Sequence, residues 1–589
     1  MLHSLDLDKS ITAVESMQGP LAQSVEQRTF NPWVVGSIPT GPTNAPKHRF
    51  GTLFMGGVMK RDLWLIGIFV AAVSFASKTF LDTTTYPKLI ALTSLLIGLM
   101  IFRVLKKKDN GIFPALLVWN LIFLLFLSTF GLDQTINILL GHPGRNLGLL
   151  SLLIGILTVY YFRSVHIATS LTLLLISSSI ISASYLLAKI IQDPPLLLSQ
   201  FSFPLSDALN QNILSLYISL GVVSGGAVLY LKIREIPIHR NPFFILILLS
   251  IFSLWRMGDL QSTLYLIIAT LVILVINLIK NHLIRSLILT IPYFTSPFLF
   301  LLLLEKYDWI KERLDTSILE RTQIASLTFD YIIQDSIRFH RPDTTADLNV
   351  QLDSTKALYV DNAHNIFLEF GVSFGWIPMI LFLFLVIGIF TLKTIALSNS
   401  NLPIVMRIYA ISSLLILYFA GFITILHPIT ILAFGISLAS IFSLGNVSIS
   451  NELKGISGLM GQNPVRQLID FISPKVPALS KVNRIISIVL LMLPLALTTK
   501  DVQQKWQFRE IEKKLVSGQI EQSIAIEDLL TLTLEMKDRQ YLDYTGRKLA
   551  RIGECNKLAE VIKTQRKLGI TDFPSTLLSQ WQVANCPSS

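Results

Sequence analysis

One short stretch holds the residues best placed for proton chemistry: Asp361-Asn362-Ala363-His364-Asn365-Ile366-Phe367-Leu368-Glu369-Phe370-Gly371, continuing through Gly375-Trp376 into an apolar run. It ends the only long polar interval between hydrophobic segments. An imidazole titrates near neutral pH, so His364, set where a polar loop meets an apolar helix, can accept or donate a proton at a lipid-borne substrate. The cations that could work with it are few. The interval 305–373 carries Glu320-Arg321 and Arg338-Phe339-His340-Arg341, and two short loops add His142 with Arg145 and, separately, Arg256. Arginine's planar fork matches phosphate oxygens better than a lysine point charge, so this set suits an anionic, phosphate-bearing substrate. Each residue also has a plainer reading. His364 can be a helix cap or lipid contact, Arg321, Arg338 and Arg341 solvated charges, and Arg145 an anchor to headgroups. Asn365 reads as an orienting hydrogen-bond partner, and His340 receives no role.

These residues need a membrane body to position them. Of the 589 residues 52% are hydrophobic and only 15% charged, well below the quarter usual in soluble domains. The apolar runs repeat at membrane-spanning length, so the expected class is all-α: a polytopic transmembrane helical bundle of about 12–13 spans. Candidate spans are 63–80, 87–102, 112–130, 146–162, 166–190, 212–231, 243–255, 262–279, 286–304, 374–392, 407–426, 429–444 and 485–499. The net charge of +11 does not point to nucleic acid, because Lys and Arg sit in short loops between apolar runs. Lys60/Arg61, Arg103 with Lys106-Lys107-Lys108, Arg163, Lys232/Arg234/Arg240, Lys280/Arg285 and Lys393 all fall on one side if the spans alternate. That bias predicts a cytoplasmic N-terminus and an extracytoplasmic 305–373 interval.

Two spans are short. Residues 241–255 lie between Arg240 and Arg256 and reach only ~22 Å against a ~30 Å hydrocarbon core. Arg256 is therefore expected slightly below the outer boundary, a functional position unless it snorkels. Residues 485–499 are equally short. If they span, the tail from Lys500 is extracytoplasmic and Cys555 and Cys586, the two cysteines of the chain, can pair. If they lie at the interface, the tail is cytoplasmic and the thiols are free. Spanning is favoured, since Arg484 and Lys500 can snorkel to opposite faces. No CxxC or Cys/His cluster supports a zinc site, and no cofactor is expected.

The expected organisation is a leader at 1–58, a first bundle at 59–304, the outer loop 305–373, core helices at 374–444, a basic linker at 445–484, the last membrane segment 485–499 and a small helical tail domain at 500–589. The stretch PLAQSVEQRTFNPWVVGSIPTGPTN (residues 20–44) resembles the conceptual translation of a transfer-RNA gene, while Met59-Lys60-Arg61 before the first apolar run is a natural start. Residues 1–58 are therefore expected to contribute nothing to function.

Asp361–Trp376 resembles the signature of the O-antigen ligase and O-antigen polymerase superfamily, in which His-Asn opens a span after the largest outer loop. His364, Asn365, Leu368 and Gly375 match. The family's short outer loop carries a Ser-Arg-Gly-like sequence; Leu254-Trp255-Arg256-Met257-Gly258 matches at the arginine and not at the serine or adjacent glycine. An arginine early in the large loop corresponds best to Arg321. The order of segments and loops agrees over roughly residues 60–445. Ser373 replaces a common acidic residue and Pro378 a second glycine. The resemblance implies a metal-independent glycosyltransferase of the cytoplasmic membrane that takes a saccharide from a polyprenyl-diphosphate (undecaprenyl-diphosphate-like) donor in cell-envelope polysaccharide biosynthesis. In that reading Arg256 and Arg321 grip the diphosphate, whose leaving charge they stabilise, and His364 activates the acceptor. Asn365, Arg145, Arg338 and Arg341 are the further substrate-binding candidates. The acceptor can be a glycan, a lipid or a protein. The rival class is a transporter or flippase for a lipid-linked or other anionic substrate, which should show internal repeats and charges near the midplane. A structural or sensory membrane protein is the third class.

Overall fold

The computed structural model describes residues 86–106, 112–141, 148–163, 165, 167–191, 211–232, 242–257, 260–305, 316–340, 365–423, 427–444, 481–568, 570 and 573–586. The chain divides into the units Met1–Arg61 and Asp62–Ser589, and every described residue belongs to the second. The leader at 1–58, the span at 63–80 and most of the linker at 445–484 lie outside the described residues.

What is described is helical, as continuous apolar sequence in a lipid environment requires: a helix satisfies its own backbone donors and acceptors where no water can. In chain order the helices are α1 (Tyr86–Leu105), α2 (Ile112–Phe130), a short α3 (Thr135–Leu140), α4 (Leu149–Phe162), α5 (Ile167–Ile191), α6 (Gln211–Lys232), α7 (Pro242–Met257), α8 (Leu260–Leu278), α9 (His282–Glu305), α10 (Thr316–Ile333), α11 (Ile366–Phe374), α12 (Trp376–Ser398), α13 (Ile404–Ile423), α14 (Pro428–Leu444), α15 (Lys481–Val516), α16 (Gln522–Met536), α17 (Arg539–Ile552), α18 (Cys555–Lys567) and α19 (Phe573–Asn585). Among the described residues eight helices are long and apolar enough to cross a membrane: α1, α2, α6, α8, α9, α12, α13 and α15. They mark a multi-pass membrane protein. Large side chains on their outer faces, such as Leu121, Leu124 and Leu125 of α2 and Phe384 of α12, are exposed, as a lipid-facing surface demands and a water-facing one would not tolerate.

Side-chain pairs give the helix directions. Ser177 of α5 meets Tyr217 of α6, and a Cβ on Gly221 would touch Ser178. Ser179 meets Ser250 and Ser253 donates to the Ser182 carbonyl, so α5 and α7 run the same way. Arg285 and Tyr293 of α9 pair with Ser398 and Thr394 of α12, an antiparallel match. Ser296 and Phe300 of α9 meet Tyr418 and Phe422 of α13, a parallel one. Several buried hydroxyls, such as Ser224 and Ser440, return hydrogen bonds to carbonyls four residues earlier, which satisfies their donors inside the bundle.

Three expectations need correction. Arg285 and Lys393 were read as loop charges, yet Arg285 lies in the first turn of α9, Lys393 within α12, and both are buried. Helices outrun their apolar runs where charged side chains find partners on a neighbouring helix. The third is the boundary at Lys500. α15 continues through it to Val516, about 54 Å of helix at 1.5 Å per residue. Its first half contributes Leu491 to the bundle core, and its second half places Phe508, Ile511 and Leu515 against Leu529, Met536 and Tyr541 of the tail. A second apolar face keeps the helix going after the first is spent.

The tail helices α16–α19 form their own core around Leu542, Leu558 and Val561, and Cys555 and Cys586 are joined in a disulfide. The tail is docked. Buried Lys505 of α15 lies 3.1 Å from Asp501 and 2.7 Å from Asp538, and Tyr86, the first residue of α1, donates to Asp501. Asn137 donates to the Lys537 carbonyl at 3.0 Å and accepts from the Arg539 amide at 3.3 Å. Asp133 pairs with Lys537 and, at 3.1 Å, with Lys567. The tail therefore sits where α1 starts and α2 ends.

Hydrogen bonding from Lys537, then from Lys567, holds the Asp133 carboxyl below its ordinary range. A carboxylate whose folded pKa is depressed contributes stability above its unfolded value of about 3.9 and loses it as pH falls through the folded value. Tail docking should thus be constant near neutrality and weaken only below about pH 4. Asp133→Asn should weaken it near neutrality, and the two proteins should converge once the pH has fallen through the folded pKa of Asp133. Asp133 is 40% exposed, so the effect is small, under about 1 kcal/mol. Amide exchange over 131–141, compared between the two proteins across pH, reads it; identical exchange would contradict it.

Candidate functional site

The junction that follows residue 364 is built from two helices, α11 and α12, and the segment that laces them together. α11 does not continue into α12. Phe367 near its start packs on Phe382, two turns into α12, and on Phe422 at the end of α13, so α11 folds back along α12. The span expected at 374–392 overlaps α12, and Asn365 caps the short helix that leans on it. The reversal falls at Gly375, with φ +92°, a backbone region almost confined to glycine.

Residues 335–340 cross this reversal. The amides of Arg338 and His340 donate to the carbonyls of Phe374 and Ser373 at 3.0 and 2.9 Å, and the amides of Trp376 and Ile377 donate to the carbonyls of Asp335 and Ser336 at 3.4 and 3.2 Å. One strand of chain thus satisfies the last carbonyls of α11 and the first amides of α12, groups that helix ends leave unpaired. Pro378 stands in the first turn of α12, where a missing amide costs nothing.

Asn365 is buried, 2% exposed, and caps α11: its Oδ1 accepts from the amides of Phe367 and Leu368 at 2.9 and 3.1 Å. Only its NH2 group is left to meet a ligand. Asn365→Ala should therefore cost about 1 kcal/mol of stability, and Asn365→Asp, which keeps the accepting oxygen, should cost much less. Thermal unfolding in detergent would show it; equal losses in the two variants would contradict the capping role.

Arg338 is the best-defined cation of the site. It is 8% exposed. Its Nη2 donates to the Tyr331 carbonyl at 2.9 Å and lies 2.7 Å from the Asp335 carboxylate, while the guanidinium stacks 4.0 Å above the Tyr331 ring. Its Nε and Nη1 are buried with no hydrogen-bond partner among the described residues. The guanidinium is thus clamped on one nitrogen and leaves two nitrogen donors unspent. Tyr331 and His340, neither of them in the sequence-derived set, lie beside it, Tyr331 Oη 3.1 Å from His340 Nε2. Their spacing in the chain gave no periodic signal, because His340 reaches Tyr331 only through the turn after α10. Phe126 and Phe130 of α2 stack on Phe339, and Phe126 and Phe339 on Phe374, an apolar wall behind the arginine.

The other expected residues are placed as follows. Arg256 stands in the last turn of α7 with its side chain exposed. α7 packs on α5, α6 and α8, and no contact of Arg256 with α11 or Arg338 is formed among the described residues. Arg321 lies in α10, and its side chain falls outside the described residues. So do His364, Arg145 and Arg341. Among the described residues no group of three or more His, Cys, Asp and Glu could hold a metal ion. What the structure brings together is Asn365 at one end of α11 and Arg338, Asp335, Tyr331 and His340 at the other. Compared with known proteins, the chain matches no family model, no curated protein and no solved structure.

Proposed function

We propose that the chain is a membrane glycosyltransferase of the O-antigen ligase or polymerase type, moving a saccharide from a polyprenyl-diphosphate-linked donor to a glycan, lipid or protein acceptor on the extracytoplasmic face of the cytoplasmic membrane. The observation that carries the reading is the buried Arg338 with its two unspent donors, on the segment laced to the helix that Asn365 caps. A diphosphate leaving group asks for such donors, and an acceptor hydroxyl asks for a neutral base nearby.

In this proposal the body has 12–13 spans, the helices shorter than a bilayer included, and the interval 305–373 lies outside the cytoplasm. His364 accepts the acceptor's proton as its oxygen attacks the anomeric carbon and the bond to the diphosphate breaks. Arg256 and Arg321 hold the diphosphate, with Arg338, Arg341 and Arg145 as further phosphate or glycan contacts and Asn365 keeping the start of α11 in place. No metal or cofactor is required. The docked tail belongs to the outer side in this topology, where a disulfide persists, and it is suited to handling an acceptor or partner.

Support comes from the junction and its cations; the resemblance supplies the reaction. Reconstitution with a lipid-diphosphate-linked saccharide tests it. Release of free polyprenyl diphosphate is expected, and passage of uncleaved donor across the bilayer would instead make the chain a transporter.

A further inference from the structure

At the end of α12 remote from α11, two arginines converge with no acid beside them among the described residues. Arg285, 4% exposed, donates from Nε to Ser398 Oγ at 2.9 Å and from Nη2 to the Ser398 carbonyl, with His282 Nδ1 2.6 Å from the same Nη2. Arg407 donates from Nη1 to that carbonyl at 3.3 Å, and its Nε is buried without a hydrogen bond. The two guanidinium groups are close enough to repel one another. Lys393, buried in α12, points its ammonium toward the Phe442 ring of α14.

Among the described residues neither arginine has a carboxylate partner. Residues 260–304 and 376–444, which contain all of α8, α12, α13 and α14 and α9 up to its last residue, include no Asp or Glu. Both arginines also stand in the first turn of their helices, α9 and α13, where the helix dipole disfavours cations. Among the described residues the compensation is the carbonyl end of α12, worth about half a charge. Capping that end explains one arginine; two, sharing a single carbonyl and partly desolvated, leave about one and a half positive charges unmatched. Arg285 Nη1 and Arg407 Nη2 make no hydrogen bond among the described residues, so each guanidinium keeps a donor to offer.

α12 is 23 residues long, about 34 Å, so this cluster lies at the opposite membrane boundary from Gly375. We propose that Arg285 and Arg407 form a phosphate-binding site at that boundary, filled by the headgroup of an anionic phospholipid. A phosphodiester carries one negative charge and several acceptor oxygens, enough to bridge both leftover donors. Basic sites between transmembrane helices recognise such headgroups. The site is independent of the transfer chemistry proposed above.

The test uses the full chain purified in detergent, with unfolding temperature and lipid retention in native mass spectrometry as readouts. Phosphatidylglycerol, phosphatidylcholine and inorganic phosphate are added separately. Phosphatidylglycerol should raise the unfolding temperature and stay bound, and phosphatidylcholine should do neither. Arg407→Gln should weaken the phosphatidylglycerol response about fivefold or more. Arg407→Lys, which keeps the charge and loses the fork, should fall between and serves if the glutamine variant does not fold. Stabilisation by inorganic phosphate to the same extent would keep the site and give it a free-phosphate ligand. Equal responses to the two lipids, or a wild-type response in both Arg407 variants, would overturn the proposal.

Discussion

His364→Ala should reduce saccharide transfer by about a hundredfold to ten-thousandfold, the range a positioned general base supplies, while the protein is still inserted and extracted in normal yield. The expectation follows from what the site otherwise contains. Arg338 is clamped by Asp335 and Tyr331, and a guanidinium offers donors and no acceptor. Asn365 has given its oxygen to the cap. Of the residues in the proposed mechanism, His364 alone has a reference pKa near neutrality, about 6.5. Donor binding should survive the substitution, since the arginines are untouched, and the loss should fall on turnover. His340 is hydrogen-bonded to Tyr331, so His340→Ala is the control that separates a general need for imidazole near the loop from a specific need at 364. Turnover in His364→Ala within a few-fold of wild type would remove the histidine from the mechanism.

Gly375→Val should be the most damaging single change outside the reacting groups. Two independent costs meet there. The backbone at φ +92° excludes β-branched side chains, a strain of about 1–3 kcal/mol. A Cβ would also stand 2.7 Å from the Ser336 carbonyl oxygen, 2.9 Å from Ile337 Cα and 3.0 Å from the Asp335 carbonyl oxygen. These are backbone atoms, and the two carbonyls already accept from the first amides of α12, so they cannot swing aside as a side-chain end would. Overpacking adds about 1–3 kcal/mol more. We expect a loss of about 3 kcal/mol or more in total, with strand 335–340 released and Arg338 freed from its clamp. Gly388 in α12 has nothing within 4 Å of its Cβ position. Gly388→Ala should therefore be neutral or slightly stabilising. Unfolding temperatures and protease sensitivity near residue 338 compare the two; a Gly375→Val protein as stable as Gly388→Ala would contradict the laced-turn account.

The helical body was legible because lipid-facing helices write themselves as unbroken apolar runs. Of the spans read from sequence, that at 63–80 lies outside the described residues, and each of the others overlaps a helix. What the sequence hid was decided by tertiary partners. Arg285 and Lys393 look like loop charges in one dimension and are buried because α12 and α14 come to meet them. α15 passes its charged stretch because Asp501, Lys505 and Asp538 neutralise one another across a distance of more than 30 residues. At the site, His-Asn was visible as a junction; that Asn365 spends its oxygen capping α11 was not. The reversal at Gly375 was not legible. A lone glycine before Trp376 carries no sign of the 335–340 segment that crosses it. For the same reason Arg338 looked like one of several solvated cations, and only its clamp by Asp335 and Tyr331 distinguishes it.

The most direct measurement supplies the reconstituted chain with a polyprenyl-diphosphate-linked saccharide and an acceptor extract in the presence of a metal chelator, and follows the fate of the labelled lipid. Glycosyl transfer predicts free polyprenyl diphosphate appearing in step with saccharide on the acceptor, and neither product with His364→Ala. Donor that remains intact, or crosses the bilayer uncleaved, would contradict it.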